Sequence, residues 1–430
     1  AQNALVAFSA IPVVGASTAG WNSSLLRPRP LRFSPRFGLA WSIPNSGQTV
    51  VRAGYGIYTN QAAYSVLQNL AENIPFFLNK TVNNNAATLA SSPYTINNIL
   101  SINPNGAIGA NSVNHDFAVE YNEVWNLSLQ HPLSSTTAVE LEYVGSRTVH
   151  ADSSTALNLP QPGPGNVQTR RPFPNLNAFT TIRWDGWASF HDLTFKVTRR
   201  FAKGLSFDGS YTWSHSIDDA SDAGTTNAEL NLPQNIYAFN LAAEKASSSF
   251  DHRNRATINV IYDLPIASGS SGWLHRTVGG WRASGNFIAQ SGAPFTINLS
   301  AANDPAAANI GLVNGNNLER PNVTDNPNSG PKTPDQWFNK SAFSLPAQYT
   351  FGNTPRNNVV GPGLVDLDAS LQKEVVLRES MKMQFRFDVF NVLNRPNFNL
   401  PNRIYGTSTF GTISNAQDPR ELQFALKLIF

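Results

Sequence analysis

The sequence predicts an all-β chain: an antiparallel transmembrane β-barrel of about twelve strands with long extracellular loops. Three observations predict it. Apolar and polar residues alternate with period two along much of the chain, the connections between the alternating segments are short and long by turns, and the composition is poor in charge.

The alternation is clearest near the C-terminus. Met381, Met383, Phe385, Phe387 and Val389 fall on one face of a strand, with Lys382, Gln384, Arg386 and Asp388 on the other. Successive strand side chains point to opposite faces, so such a segment has an apolar side and a polar side. In a barrel crossing a membrane the apolar side faces lipid and the polar side faces the lumen. Met383, Phe385, Phe387 and Val389 are therefore expected to face lipid, and Lys382, Arg386 and Asp388 the lumen. The last segment repeats the pattern. Leu422, Phe424, Leu426 and Leu428 share a face expected to meet lipid, and Phe430 ends the chain on the same face. Val365, Leu367, Ala369 and Leu371 alternate with Asp366, Asp368, Ser370 and Gln372, which makes Asp366 and Asp368 lumen-facing.

The remaining strands follow in order. Segments near 33–42 and 48–59 come first. Trp125, Leu127 and Leu129 then alternate with Asn126, Ser128 and Gln130, and Val139, Leu141 and Tyr143 with Glu140 and Glu142. Leu193, Phe195 and Val197 alternate with Thr194, Lys196 and Thr198. Leu205, Phe207, Gly209, Tyr211 and Trp213 alternate with Ser206, Asp208, Ser210 and Thr212. Segments near 254–263 and 280–291 bring the total to about eleven, each close to the ~9–11 residues a tilted strand needs to cross a bilayer. Trp41, Tyr55, Tyr58, Trp125, Tyr143, Tyr211, Trp213 and Trp281 lie near strand ends, where aromatic girdles sit at the headgroup level.

Short links join 33–42 to 48–59, 117–130 to 137–146, 190–200 to 205–214 and 365–373 to 381–391. Long links rich in Asn, Pro, Gly and Ser occupy roughly 60–116, 147–189, 215–253, 292–364 and 392–420, and the link 264–279 is intermediate. Outer-membrane barrels place short turns on the periplasmic side and long loops outside. The strand ending at Phe430 then runs inward. The strand at 33–42 does so as well and needs an upgoing partner before it, for which Ala4–Val14 is the candidate. That stretch alternates poorly and contains Pro12.

Of the 430 residues, 41% are hydrophobic and only 14% charged, against about 25% charged in soluble domains. The net charge of +3 is small and no Lys/Arg run is interleaved with aromatics, which argues against nucleic acid as a partner. Cysteine is absent, so disulfide and thiolate chemistry are excluded. The first twenty residues lack a basic leader region, and no segment approaches the ~20 apolar residues of a spanning helix.

No catalytic, cofactor or metal site emerges, and the chain does not read as an enzyme. The seven histidines are scattered, with no i, i+4 pair. Asp251-His252-Arg253 reads as a hydrogen-bond network at the barrel rim. Ser214-His215 lacks a Gly-x-Ser-x-Gly elbow. Ser216 to Asp222 holds three carboxylates without the spacing of a calcium loop and reads as a solvated loop. Gly361-Pro362-Gly363 reads as a turn.

Several stretches resemble the Oar-like branch of TonB-dependent outer-membrane receptors. They are FRFDVFNVLNRPNF (385–398), DPRELQFALKLIF (418–430), YTWSHSIDDA (211–220), FDHRNR (250–255), GGW (279–281), QSGAPF (290–295), FGN (351–353), RN (356–357), PRFG (35–38) and VVRAGYGI (50–57). None is a chemical motif; their order and spread from about residue 33 to the end carry the resemblance. The resemblance implies a barrel that moves a bound substrate inward across the bacterial outer membrane when TonB pulls on an internal plug. Such receptors have about 22 strands and an N-terminal plug, so residues 1–430 are expected to be the C-terminal barrel portion, without a plug domain. The partners implied are outer-membrane lipid, the plug of the same receptor, TonB only through that plug, and the barrel-assembly machinery, which reads Phe430 as a C-terminal signal. No cofactor is implied. The alternatives are a plugless pore or adhesin, and a soluble extracellular β protein that binds glycans.

Overall fold

The computed structural model describes residues 14–15, 17–20, 33–60, 111–114, 118–177, 179–221, 241–267, 272, 277–300, 302–308, 312–313, 316–317, 319–378 and 381–430. The expected strand at Ala4–Val14 lies outside these residues apart from Val14, which is not in a strand.

The architecture is one antiparallel meander. Its long strands are β1 (Arg36–Ser42), β2 (Val50–Thr59), β3 (Tyr121–Pro132), β4 (Thr137–Leu157), β5 (Phe179–Ala202) and β6 (Leu205–Asp218). They continue as β7 (Asn254–Asp263), β8 (Trp281–Gln290), β9 (Leu364–Arg378), β10 (Met381–Phe390) and β11 (Glu421–Ile429). Each strand pairs with its successor in the chain, and two short strands, Asn111–Val113 and Ala246–Ser247, bring the sheet to thirteen. Among the described residues, β1 pairs only with β2, and β11 only with β10.

Local chemistry explains the short connections. Between β5 and β6 the chain reverses through Lys203 and Gly204, both at positive φ (51° and 79°). Two left-handed residues make the turn whose twist matches a right-twisted hairpin. Thr49 closes the β1–β2 turn by donating from Oγ1 to the Ser46 carbonyl at 2.6 Å.

Two strands are longer than the alternation indicates. β4 has 21 residues and β5 has 24, and they stay paired into the predicted 147–189 link, from Ser153↔Arg183 to Leu157↔Phe179. Register shifts between Val149 and Ala151, and between Ala151 and Ser153, bend the hairpin there. Apolar residues of this extension, such as Ile182, Trp184 and Trp187, are sparse and interrupted by the register shifts, so period two is lost while the backbone pairing continues. Asn111–Val113 adds in parallel to β5, and Ala118, Ile182 and Trp184 form a small core beside it, with Val113 packed against them.

The larger buried core is not in the sheet. Phe295, Ile297, Phe338, Ala342, Phe343, Val359 and Phe410 form it, drawn from the β8–β9 and β10–β11 connections. Phe338 meets Phe410 and Phe343 edge-on, with ring centroids 5.0 and 5.9 Å apart. Burying one such side chain stabilises by about 1.5–3 kcal/mol. The β8–β9 and β10–β11 connections therefore share a packed module rather than forming separate polar loops. Among the described residues, no helix is long and apolar enough to cross a membrane.

Candidate functional site

The register turns the one-strand alternation into continuous faces. One row runs Ala283, Leu371, Phe387, Phe424 across β8 to β11, and the next runs Gly285, Ala369, Val389, Leu422. Phe387 and Phe424 stack at 4.5 Å. Phe385 pairs with Leu426 and Met383 with Leu428. The face continues to the other edge, where Phe37, Leu39 and Trp41 of β1 pair with Tyr55, Ala53 and Val51. On this face Leu422, Phe424, Leu426 and Leu428 are 50–67% exposed, Phe37 is 70% exposed and Trp213 60%. Phe430 is more exposed still and lies just past the end of β11. Contiguous apolar exposure over eleven strands far exceeds the few hundred Å² that soluble monomers tolerate.

One feature of this face is local. Trp125 lies over its cross-strand partner Gly145, where an added Cβ would come within 2.3 Å of the indole ring. The ring covers backbone that a larger residue would have displaced.

The opposite face is polar. Lys382 contacts Glu374 at 2.8 Å, and Arg386 Nε donates to Asp388 at 2.8 Å. Asp388 sits between Ser370 and Gln423 and is buried. Asp368 accepts the Asn391 N–H at 3.0 Å, and Asp366 accepts the Leu367 N–H at 3.0 Å. Farther along the sheet Lys196 contacts Asp208 at 3.6 Å. The faces thus separate chemically: ionic groups cluster on one, and hydrocarbon occupies most of the other. Charged residues on this side include Lys373, which stands in the apolar row between Trp281 and Phe385, and Arg199, which lies opposite Phe207.

At the end of the sheet where the long connections emerge, buried charge ties the loop module to the strands. Arg356 is fully buried. Its guanidinium donates to the Asp218 carboxylate at the end of β6, to the Asp218 carbonyl at 2.6 Å, to Ser221 Oγ at 2.9 Å and to the Glu244 carbonyl at 2.9 Å. Arg320 donates to Glu244 at 2.5 Å, with both side chains buried. Neighbouring Asn357 exchanges two hydrogen bonds with Thr296 and donates to the Ser247 carbonyl at 2.8 Å. Two connections, β6–β7 and β8–β9, thus meet at one buried arginine.

The Ser216–Asp222 segment is therefore not solvated where it is described. Asp218 and Asp219 are buried, and Asp222 lies outside the described residues. Asp218 is taken by Arg356 and Ser221. Burial, with the Asp218 charge beside it, pushes the Asp219 carboxyl up to about 6. The sequence lacked any sign of this because the arginine that neutralises Asp218 lies 138 residues away.

Asp251, His252 and Arg253 sit in a network. Asp251 accepts from the Ser216 N–H at 2.8 Å and Arg253 Nε at 2.7 Å, Arg253 also donates to His215 Nε2 at 2.7 Å, and His252 Nδ1 bonds the Ser291 carbonyl at 2.7 Å. Within the loop module, burial and the adjacent Asp304 push the Glu319 carboxyl up to about 9. No cluster of three or more metal-ligating side chains occurs among the described residues.

A family model described as an outer membrane beta barrel domain matches residues 2–423. No curated protein matches the chain. Among solved structures, the outer membrane transporter YddB from Escherichia coli is 11% identical with a TM-score of 0.50, over 92% of this chain and 40% of that one. The ferric preacinetobactin receptor BauA from Acinetobacter baumannii is 13% identical, over 92% and 36%, with a TM-score of 0.40. The FrpB iron transporter from Neisseria meningitidis is 12% identical, over 91% and 38%, with a TM-score of 0.41. The chain thus spans about 40% or less of the length of these structures, and at such identities the likeness concerns the fold. With a family model covering nearly its whole length and a sheet apolar on one side and ionic on the other, this chain belongs to the outer membrane β-barrel domain family and is a protein of the bacterial outer membrane.

Proposed function

We propose that residues 1–430 are the C-terminal barrel portion of a TonB-dependent receptor of the Oar-like branch, which takes part in substrate uptake across the outer membrane. The single observation that carries this reading is the two-faced sheet. Met383, Phe385, Phe387, Val389, Leu422, Phe424, Leu426 and Leu428 share the apolar side, and Lys382, Arg386, Asp388, Asp366 and Asp368 the ionic side. Hydrocarbon penalises charge and unpaired backbone, so in a closed barrel the first set meets lipid and the second lines the lumen.

In this reading the ionic wall is the docking surface for a plug of the same receptor, and TonB acts on the barrel only through that plug. The likeness to transporters and receptors supports the assignment, as does the low share of each covered by this chain: the parent barrel has more strands, and the β1 and β11 edges close onto them. In this reading the function is transport, and ion pairs such as Lys382–Glu374 and Arg386–Asp388 belong to the lumen wall.

The test places a photo-crosslinking residue at position 386 in the receptor expressed in cells. A crosslink to a plug segment of the same receptor, with uptake that stops when TonB is removed, is the expected result. Crosslinks to lipid alone, together with steady ion conductance in planar bilayers, identify a passive pore instead.

A further inference from the structure

The side of the sheet that carries the apolar rows ends, towards the long connections, in a belt of basic groups that the barrel chemistry leaves without a role. The last apolar row across β3 to β6 is Leu127, Tyr143, Leu193 and Trp213. On the same side the next row is Trp125, Gly145, His191 and His215, and the row beyond it Glu123, Arg147, Ser189 and Ile217. The β6–β7 connection adds Arg253, whose Nη2 donates to His215 Nε2 at 2.7 Å, and Lys245, whose ammonium lies 4.8 Å from the centroid of the Trp187 ring. We propose that this belt binds the phosphate of a lipid headgroup, while the apolar rows beneath it take the acyl chains. The proposal rests on the reading of this side as the lipid-facing one.

Three properties select that ligand. First, the basic groups are free to take it. Arg147 and Lys245 are exposed, and neither side chain makes a hydrogen bond or ion pair among the described residues. Arg253 gives Nε to Asp251 and Nη2 to His215 and Ser247, which leaves Nη1 free, and its side chain is 46% exposed. His191 is exposed as well, and its Nδ1 lies 2.8 Å from the Tyr143 hydroxyl, which accepts from Trp125 Nε1 at 3.4 Å. With the hydroxyl proton directed to Nδ1, the neutral ring carries its own proton on Nε2, a donor without a hydrogen-bond partner among the described residues.

Second, the balance of charge favours an anion. Among the described residues the carboxylates set against these groups are Glu123, opposite Arg147, and Asp251, which is buried against Arg253. Arg147, Arg253 and Lys245 outnumber them, and His191 adds a neutral donor. A guanidinium fork matches phosphate oxygens, and basic side chains at a membrane surface favour anionic headgroups. A zwitterionic headgroup gains less, because its own cation meets the same basic groups.

Third, the belt is continuous with a surface that an amphipathic ligand covers. Leu127, Leu193 and Trp213, directly beneath it, are exposed. A soluble phosphate leaves them in water, whereas a lipid held by its headgroup lays its chains across them. Trp125, Tyr143 and Trp187 lie among the basic groups, and amphipathic rings favour the headgroup level of a bilayer. Backbone register sets the rows, and Tyr143 holds the His191 ring, so the donors are placed before a lipid arrives.

The experiment reconstitutes the whole receptor in phosphatidylcholine vesicles and reads the quenching of tryptophan fluorescence by brominated acyl chains. Brominated phosphatidic acid is titrated in, with brominated phosphatidylcholine and brominated diacylglycerol as the zwitterionic and phosphate-free controls. The expected result is stronger quenching by phosphatidic acid at equal membrane content. Arg147→Gln combined with Lys245→Gln lowers that preference about tenfold. Neither side chain is bonded within the protein, so the variant keeps the fold. Lys332→Gln combined with Lys427→Gln removes the same charge from the loop module and the polar side, and leaves the preference unchanged. Millimolar inorganic phosphate at matched ionic strength leaves it in place; abolition by phosphate assigns the belt to a free anion and overturns the lipid assignment. Equal quenching by all three lipids, or a preference that survives the loss of Arg147 and Lys245, overturns the site and leaves the lipid-facing reading standing. Absence of quenching by any brominated lipid overturns both.

Discussion

Lys373 lies directly opposite Trp281 in the β8–β9 pair, with its ammonium 5.4 Å from the indole centroid and donating to the Thr277 carbonyl at 2.8 Å. This is a charge in the otherwise apolar row, near the end of the sheet with short turns. A lysine there runs its methylenes along the apolar face and carries its ammonium towards the polar boundary. In the proposed barrel, with the apolar side against lipid, the Trp281–Lys373 pair would mark where hydrocarbon gives way to headgroups on that side. Lys373→Leu forfeits the hydrogen bond and the cation–π contact and leaves the Thr277 carbonyl without this donor. A loss of about 1–2 kcal/mol is expected in urea unfolding from lipid vesicles. A more stable variant refutes the boundary assignment.

Phe387 and Gln384 probe the two faces of one strand. Phe387→Arg places a charge in the row where Phe387 stacks on Phe424. It is expected to cost about 2–4 kcal/mol if that row is near mid-bilayer. Gln384→Arg, on the ionic face, is expected to change little. Equal losses in vesicle unfolding argue against the lipid assignment.

Arg356 is the buried centre of the loop anchorage, and Asp218 its partner. Arg356→Met leaves a buried carboxylate uncompensated, which costs about 3–5 kcal/mol. Hydrogen exchange is expected to speed up in 241–248 and 351–357 while β9 to β11 stay protected. Combining it with Asp218→Asn removes the orphaned charge and recovers part of the protection. No recovery points to Arg356 acting through packing alone.

Glu319 and Asp219 make the loop module sensitive to pH. Both carboxyls are held above their ordinary values mainly by burial, at about 9 and about 6. The unfolded chain releases these protons near the ordinary carboxylate pKa, while the folded chain keeps them longer. Folding stability therefore falls as pH rises from about 4.5 towards 9 for Glu319, and from about 4 to 6 for Asp219. Proteolysis of the 291–363 connection is expected to be slower at pH 5 than at pH 8.5. Glu319→Gln flattens most of that slope; a slope of unchanged steepness in this variant assigns the effect elsewhere.

Phe430 separates signal from packing. It ends the chain, highly exposed, in line with the apolar row of β11. As an assembly signal, its deletion blocks insertion in cells but leaves refolding into detergent near normal. As one more apolar residue, its deletion costs a little in both settings.

Period two, read residue by residue, determined the eleven long strands, and the alternation of link lengths determined which ends carry turns and which carry loops. These are local properties: which face a side chain takes depends only on its position along its own strand. The 381–390 and 421–429 segments show this well, since their apolar positions pair row against row. Where apolar positions are sparse and bulges shift the phase the local signal fails, and the extension of β4 and β5 to Leu157 and Phe179 appears only when the two are paired. The loop core of Phe295, Phe338, Val359 and Phe410 was hidden for a related reason: its members come from irregular backbone and share no period. The tertiary structure alone decided the pairing of Arg356 with Asp218 and of Arg320 with Glu244. Burying a charge is tolerable only when its partner is brought to it, and chain closure across more than seventy residues makes those meetings.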